Sequence, residues 1–254
     1  MVLEEFDNSK TAVINPTDII VPVEGMPKVA VTCFARMTFE RLLKELKGEQ
    51  IAESHVANMI IPVYKASYQG LDVALYLSDV GAPACVGLAE DVFVMGVEKI
   101  VMFGNCGVLD ADIEDCSVII PDRAVRDEGT SYHYAPAGDE IPVNVKYMDD
   151  FVDILKRLSC NYTIGKTWTT DAIYRETREK VNRRKGQGCI CVDMECSAMA
   201  ALAQFRGKDV FQFFYAADNL DNEVWDQRSL SNESRLLEKD KIALLAMELA
   251  RRIG

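Results

Sequence analysis

Two carboxylates stand in an otherwise apolar stretch of the sequence. The segment CVDMECSAMA, residues 191–200, places Asp193 and Glu195 two positions apart among cysteine, valine, methionine and alanine. On a strand both acids would point to the same side. Because an unpaired buried carboxylate is costly or takes up a proton, we expect the strand to end here, with Glu195 facing a cavity whose occupant supplies hydroxyl groups. The alternative is that both acids cap the helix that follows.

A pair of glycines marks a second candidate position. In VMFGNCGVL, residues 101–109, Gly104 and Gly107 flank Asn105 and Cys106 after an apolar strand. Glycine leaves the backbone without a Cβ, so the amide groups of a turn at this point could face an anion. The pattern predicts a turn with anion-binding capacity, and a tight connection without any ligand explains it as well.

A third acid ends another apolar run. FFYAADNLD, residues 213–221, carries Asp218 after several uncharged residues, where the predicted strand stops. A carboxyl group that is partly desolvated at such a place has a raised pKa and can act as a general acid. A turn or helix cap is the alternative. His133, in RDEGTSYHYAP, could also act as an acid or base, although a histidine between tyrosines is more often a hydrogen-bonded structural group.

The elements that must position these residues alternate between strands and helices along the chain. Apolar strand patterns and helical spacing follow one another from residue 27 onward. This order predicts an α/β fold, a three-layer sandwich with a mixed central sheet. Ligands bind at the carboxyl ends of strands in such sheets. We expect one domain, residues 1–254, in which residues 1–26 form an N-terminal arm.

Composition excludes several classes of function. The net charge is −12 and the isoelectric point is about 4.7, so nucleic acid and acidic membrane surfaces are not expected partners. The start of the chain lacks a signal-peptide pattern and no long apolar run occurs, so we expect a cytoplasmic protein. Eight cysteines without a CxxC pair are typical of free thiols. His55 and His133 are too few and too far apart to predict a metal site.

At these segments the chain resembles the nucleoside phosphorylase family. GNCGVLDADIEDCSVIIPDRAVRDEGTSYHYAP resembles the family's phosphate-site segment and the strand that follows it. VDMECSAM resembles its ribose-binding signature, and TTDAIYRETRE lies where the family has its base-site segment. The likeness runs from about residue 29 to the C-terminus. It implies an α/β phosphorylase fold and the reversible transfer of ribose from a nucleobase to inorganic phosphate.

The resemblance also implies roles for particular residues. Glu195 would hold the ribose hydroxyls, Met194 would pack beneath the sugar, and Asp218 would protonate a departing purine. The implied base contacts are Ile173, Tyr174, Val192 and Asp193, and the implied phosphate contacts are Arg36, Asn105 and Cys106. No cofactor is implied, because phosphate is a co-substrate. Family members assemble as dimers or dimer-built hexamers, so we expect a homo-oligomer.

Departures from the family pattern keep other functions open. Met102 stands where phosphorylases usually carry an arginine, and a forked guanidinium binds phosphate through two hydrogen bonds. Related nucleosidases use water instead, but the glutamate that positions their water falls at Thr38 here. The glutamine and arginine pair of uridine phosphorylases is also absent from YRETRE. We predict a purine nucleoside phosphorylase, with a nucleosidase, a uridine phosphorylase or a nucleoside-binding protein as alternatives.

Overall fold

In the part of the chain that the structure describes, a mixed β-sheet packs with six α-helices. The computed structural model describes residues 1–56, 58–231 and 233–254. The strands are β1 Val29–Cys33, β2 Glu49–Val56, β3 Met59–Tyr68, β4 Leu71–Leu77, β5 Lys99–Val108, β6 Val118–Asp127, β7 Glu140–Pro142, β8 Tyr162–Thr170, β9 Cys189–Asp193 and β10 Asp209–Asn219. The helices are α1 Arg36–Leu46, α2 Ala82–Met95, α3 Met148–Arg157, α4 Arg178–Gly186, α5 Cys196–Arg206 and α6 Leu236–Ile253.

The sheet curls until it closes on itself. Its order is β2-β3-β4-β1-β5-β9-β8-β6-β10, and β10 also pairs with β5, so that β5, β10, β6, β8 and β9 form a ring. The strands β4, β1, β5 and β10 run parallel, whereas β9 meets β5 and β6 meets β10 in antiparallel pairs. The predicted mixed central sheet is therefore confirmed.

Helices cover both faces of the sheet. One large apolar core joins the sheet to α1, α3 and α6, and a second joins it to α2 and α5. On β10, alternate residues serve the two sides: Phe213 packs against Phe151 of α3 with ring centroids 4.5 Å apart, and Phe214 belongs to the core beside α5. This arrangement confirms the predicted three-layer sandwich.

Two strands and one predicted turn differ from the sequence interpretation. β2 was not predicted because EQIAESHV carries charged and polar residues on its solvent side, and the strand lies at the sheet edge beside β3 alone. β7 is only three residues long. The predicted turn at residues 104–107 is wrong, because β5 continues through both glycines to Val108.

The N-terminal arm lies against helices of its own chain. The amide of Val23 donates to the carbonyl oxygen of Met95 in α2 at 2.9 Å, and the ring of Phe6 meets Phe205 of α5 edge-on at 6.3 Å. Several of its apolar side chains stay exposed, among them Val13. None of the helices in the described residues is both long and apolar enough to cross a lipid bilayer.

Candidate active site

Residues from six strand ends line one cavity. This inner cavity has a volume of about 200 Å³, and the strands that supply its walls are β1, β4, β5, β8, β9 and β10. Its lining residues are Phe34, Val80, Asn105, Cys106, Gly107, Ile173, Glu176, Val192, Asp193, Met194, Glu195, Asp218, Leu220 and Leu230. Glu195, Asp218 and Asn105, which come from three distant parts of the sequence, therefore face a common space.

The closed sheet explains why these ends meet. β9 and β5 are antiparallel but overlap by only two residue pairs, Gly107 with Val192 and Val108 with Cys191, so their carboxyl ends lie together. β10 runs parallel to β5 and brings Asp218 next to Gly107. A Cβ on Gly107 would lie 2.4 Å from Leu220 Cδ1 and 3.3 Å from Asp218 Oδ1. Gly107 therefore makes room for neighbouring side chains and does not form a turn.

Asp193 is fully occupied by the protein. Its Oδ1 accepts hydrogen bonds from the hydroxyl groups of Thr167 and Thr169, each at 2.9 Å, and its Oδ2 accepts from the backbone amides of Glu195 and Cys196 at 2.8 and 2.6 Å. An ionised carboxylate has about four lone-pair sites, and all four are used. Burial raises the pKa of Asp193 to about 6 in spite of these bonds. The alternative that the acids cap the following helix therefore holds for Asp193. Since all of its lone-pair sites are used, none is left to bind a nucleobase.

Glu195 has a free oxygen. Its Oε1 accepts a hydrogen bond from the backbone amide of Gly81 at 2.6 Å, and no side chain within the described residues bonds to either oxygen. The backbone of Met194 also favours the ionised form of Glu195. Only 5% of the residue is exposed, and it lines the inner cavity together with Met194. Burial, with a smaller contribution from the charge of Asp193, raises the pKa of Glu195 to about 8. Such a carboxyl group can bind hydroxyl groups in the cavity through Oε2.

Asp218 lies where the inner cavity opens into a larger one. The outer cavity, of about 420 Å³, shares Ile173, Glu176, Asp218, Leu220 and Leu230 with the inner one and adds Tyr174, Thr177, Arg178, Val181 and Trp225. Burial raises the pKa of Asp218, and the hydrogen bond that Trp225 Nε1 donates to its Oδ2 at 2.7 Å acts in the opposite direction. A raised pKa makes a carboxyl group better suited to proton donation near neutral pH.

The candidate phosphate and base residues fall into different places. Asn105 and Cys106 line the inner cavity, but Arg36 does not: its side chain is 72% exposed and its nearest carboxylate is Glu40 at 3.9 Å. Ile173 lines both cavities and Tyr174 the outer one. Val192 lines the inner cavity. Among the described residues, no lysine or arginine lines the inner cavity, whereas four carboxyl groups do.

Some lining residues were not foreseen from the sequence. Glu176 sits on the wall between the two cavities, and Trp225 bonds to Asp218 from the loop after β10. Glu176 lies inside a run of charged residues that is typical of a solvated helix face, and no local pattern separates it from its neighbours. His133 is exposed and lines neither cavity. Thr38 is buried in α1, away from the inner cavity.

Comparison with known proteins agrees with this arrangement. The model of the phosphorylase superfamily matches residues 25–251. A guanosine phosphorylase of Halorubrum lacusprofundi is 26% identical over 181 residues, which cover 70% of this chain and 73% of that protein. A DeoD-type purine nucleoside phosphorylase of Colwellia psychrerythraea is 25% identical over 198 residues, covering 75% of this chain and 80% of that one.

A solved structure shares the fold at lower identity. The uridine phosphorylase of Vibrio fischeri superposes with a TM-score of 0.79 at 19% sequence identity, covering 96% of this chain and 99% of that one. The family model spans most of the chain and agrees with the resemblance carried by residues 104–136 and 192–199. The chain belongs to the phosphorylase superfamily.

Proposed function

We propose that this protein cleaves the N-glycosidic bond of a purine nucleoside and transfers the ribose to inorganic phosphate. One observation carries the proposal: Glu195 and Asp218 face one continuous hollow, with the first in the inner cavity and the second at the mouth of the outer one. Ribose occupies the inner cavity against Glu195 and Met194. The base occupies the outer cavity, where Asp218 reaches it.

The chemistry follows from the charges that develop. Cleavage builds positive charge on the sugar and negative charge on the departing base. Nearby carboxylate oxygens stabilise the oxocarbenium-like sugar, as they do in glycoside hydrolysis. Asp218, with its pKa raised by burial, donates a proton to the base and makes it a better leaving group.

The purine assignment is supported by the state of the arginine in the outer cavity. Arg178, the arginine that lines it, donates from both terminal nitrogens to the carbonyl oxygens of Leu220 and Asn222, each at 2.6 Å. Its guanidinium is therefore committed to holding the loop after β10. The names of the two relatives, guanosine phosphorylase and purine nucleoside phosphorylase, support the same choice.

Hydrolysis by water is the second candidate, and the charge of the inner cavity favours it. Four carboxyl groups and no cation among the described lining residues make a poor environment for phosphate. Asn105 offers an amide group at the exposed end of the cavity. A cationic side chain within reach of Asn105, supplied by a second copy in the expected homo-oligomer, would remove this objection.

A panel of nucleosides separates the candidates. The protein is incubated with inosine, adenosine, guanosine and uridine, with and without phosphate, and free base is measured. Phosphorolysis predicts base release that depends on phosphate, and hydrolysis predicts equal release without it. The variant Asp218→Asn is the control, with an expected loss of about 100-fold or more. If nucleosides bind but no base is released in either condition, the result supports a nucleoside-binding protein. A preference for uridine would contradict the purine assignment.

A further inference from the structure

Glu176 is a carboxyl group in the wall of both cavities without a partner. It lies between the short 3₁₀ turn Ile173–Arg175 and α4. Its side chain forms no hydrogen bond or ion pair with any residue in the ranges 1–56, 58–231 and 233–254. A carboxyl group that is partly buried and unpaired within the protein is a group available to a ligand.

The charged groups around Glu176 do not neutralise it. Asp218 of β10 faces it and adds negative charge. Lys180 of α4 acts in the opposite direction, but its Nζ pairs with Asp127 at 3.4 Å. The guanidinium of Arg178 is bonded to backbone carbonyls. Tyr174, which is largely exposed, also lines the outer cavity.

These surroundings keep Glu176 protonated. Burial first, and the charge of Asp218 second, raise its pKa to about 8. Two further charges act on Asp218 itself: Arg228 lowers its pKa and Asp226 raises it. At neutral pH the side chain therefore presents one hydroxyl donor and one carbonyl acceptor, side by side.

We propose that Glu176 binds the edge of the nucleobase as a neutral carboxylic acid, through one donated and one accepted hydrogen bond. The proposal rests on the proposed function, because it places the base in the outer cavity. It also specifies which base edges the carboxylic acid can bind. A complementary base edge offers one donor next to one acceptor, as in the lactam of hypoxanthine or the ring nitrogen and amino group of adenine.

Two variants of Glu176 distinguish this role from a structural one. Gln carries the same donor and acceptor but cannot ionise, so Glu176→Gln should keep the KM for inosine and adenosine at about pH 6.5. Glu176→Ala should raise that KM about tenfold, since both hydrogen bonds are lost, and should change kcat little. Glu179→Gln is the matched control, because Glu179 is exposed and pairs with Arg183 one turn away.

The pH dependence gives a second readout. For the wild-type protein the KM for adenosine should rise between about pH 6.5 and 8.5, as Glu176 loses its proton near pH 8. Glu176→Gln should abolish this rise. A flat wild-type profile, a fall in KM with pH, or a Gln variant as weak as the Ala variant would overturn the proposal.

Calorimetric titration with free adenine and hypoxanthine separates this proposal from the proposed function. If no nucleoside is cleaved, the proposed function fails, but Glu176→Ala should still weaken base binding about tenfold relative to Glu176→Gln. If nucleosides are cleaved and all three forms bind base equally, only the role of Glu176 is lost. A wild-type protein that binds neither base would also contradict the role.

Discussion

At the scale of single residues, the site depends on carboxyl groups whose surroundings give them different tasks. Asp193 is saturated with hydrogen bonds and serves the backbone. Glu195 is held by one amide and keeps an oxygen for the cavity. Asp218 and Glu176 face the outer cavity with raised pKa values. In the proposed function the same functional group thus serves as cap, ligand contact or proton donor, according to burial and partners.

Trp225→Phe tests how Asp218 is tuned. The indole N–H stabilises the ionised carboxylate of Asp218, so its removal should raise the pKa of Asp218 further. The alkaline limb of the profile of kcat/KM against pH should therefore move to higher pH. Asp218→Asn should remove this limb. A shift to lower pH in the Phe variant would show that the Trp225 contact does not govern the titration.

Glu195→Ala tests the sugar contact. Glu195 lines the inner cavity and is mainly neutral at pH 7, because its pKa is raised to about 8. Removal of a hydrogen bond between neutral groups costs about 0.5–1.5 kcal/mol. The loss of kcat/KM should be larger for ribosides than for 2′,3′-dideoxyribosides, which lack the hydroxyl groups. Measurement of both substrates on both proteins gives the difference directly. Equal losses would make Glu195 a structural residue that holds Gly81.

At the scale of elements, the junction of β9 and α5 organises the site. Asp193 is the last residue of β9. It accepts hydrogen bonds from Thr167 and Thr169 of the neighbouring strand β8 and from the backbone amides of Glu195 and Cys196 at the start of α5. The amide of Ser197 donates to the Thr169 hydroxyl at 3.1 Å and continues the network. This network sets the direction in which Met194 and Glu195 leave the strand.

Asp193→Asn should therefore act on stability. An Asn side chain has one acceptor oxygen, so its amide nitrogen must face either the two backbone amides or the two threonine hydroxyl groups, and the four hydrogen bonds cannot all remain as they are. A buried unsatisfied donor costs about 1–3 kcal/mol, and the free energy of unfolding in urea should fall by about that amount. Glu179→Gln on the exposed face of α4 is the control and should change it little. A variant with unchanged stability but a raised KM would instead support the predicted base contact of Asp193.

At the scale of the whole molecule, the cavity carboxyl groups link stability to pH. In the folded protein the pKa is raised to about 6 for Asp193 and to about 8 for Glu176 and Glu195. The unfolded chain therefore releases these protons at lower pH than the folded protein does. The stabilisation is complete below about pH 4, near the unfolded pKa values, and is lost as pH rises toward 8.

Thermal unfolding between about pH 5 and 8.5 checks this linkage. The midpoint temperature should fall across this window in the ligand-free protein. The double variant Glu176→Gln, Glu195→Gln should show a shallower fall, because two of the titrating groups are gone. A wild-type midpoint that rises with pH over this range, or a double variant with the same slope, would contradict the assignment. A bound nucleoside should raise the midpoint by mass action.

The expected homo-oligomer, the cytoplasmic location and the single domain remain predictions. The arm contacts α2 and α5 of its own chain through Val23 and Phe6. Val13 and Ile14 nevertheless remain exposed. Exposed apolar side chains in one segment are typical of a surface that another protein covers.

Much of the fold could be predicted from periodicity. Apolar strands and amphipathic helices are local patterns, and the stretch YTIGKTWTT, which is rich in β-branched and aromatic residues, forms β8 at Tyr162–Thr170. The edge strand β2 could not be found this way, because its polar residues hide the alternation. The turn predicted at Gly104 and Gly107 is wrong because these glycines make room for the side chains of Phe34 and Leu220. Both side chains are distant in sequence, so no local pattern reveals the contact.

The sequence by itself indicated the family and most of the strands, and it singled out Glu195 and Asp218 as candidate site residues, because each of these patterns lies in neighbouring residues. The tertiary structure alone decided which groups share a cavity. It placed Arg36 outside, committed Asp193 to a helix start, and brought Glu176 against Asp218. The physical reason is that closure of the sheet sets distances between side chains from different strands, and hydrogen bonding and burial depend on those distances rather than on sequence spacing.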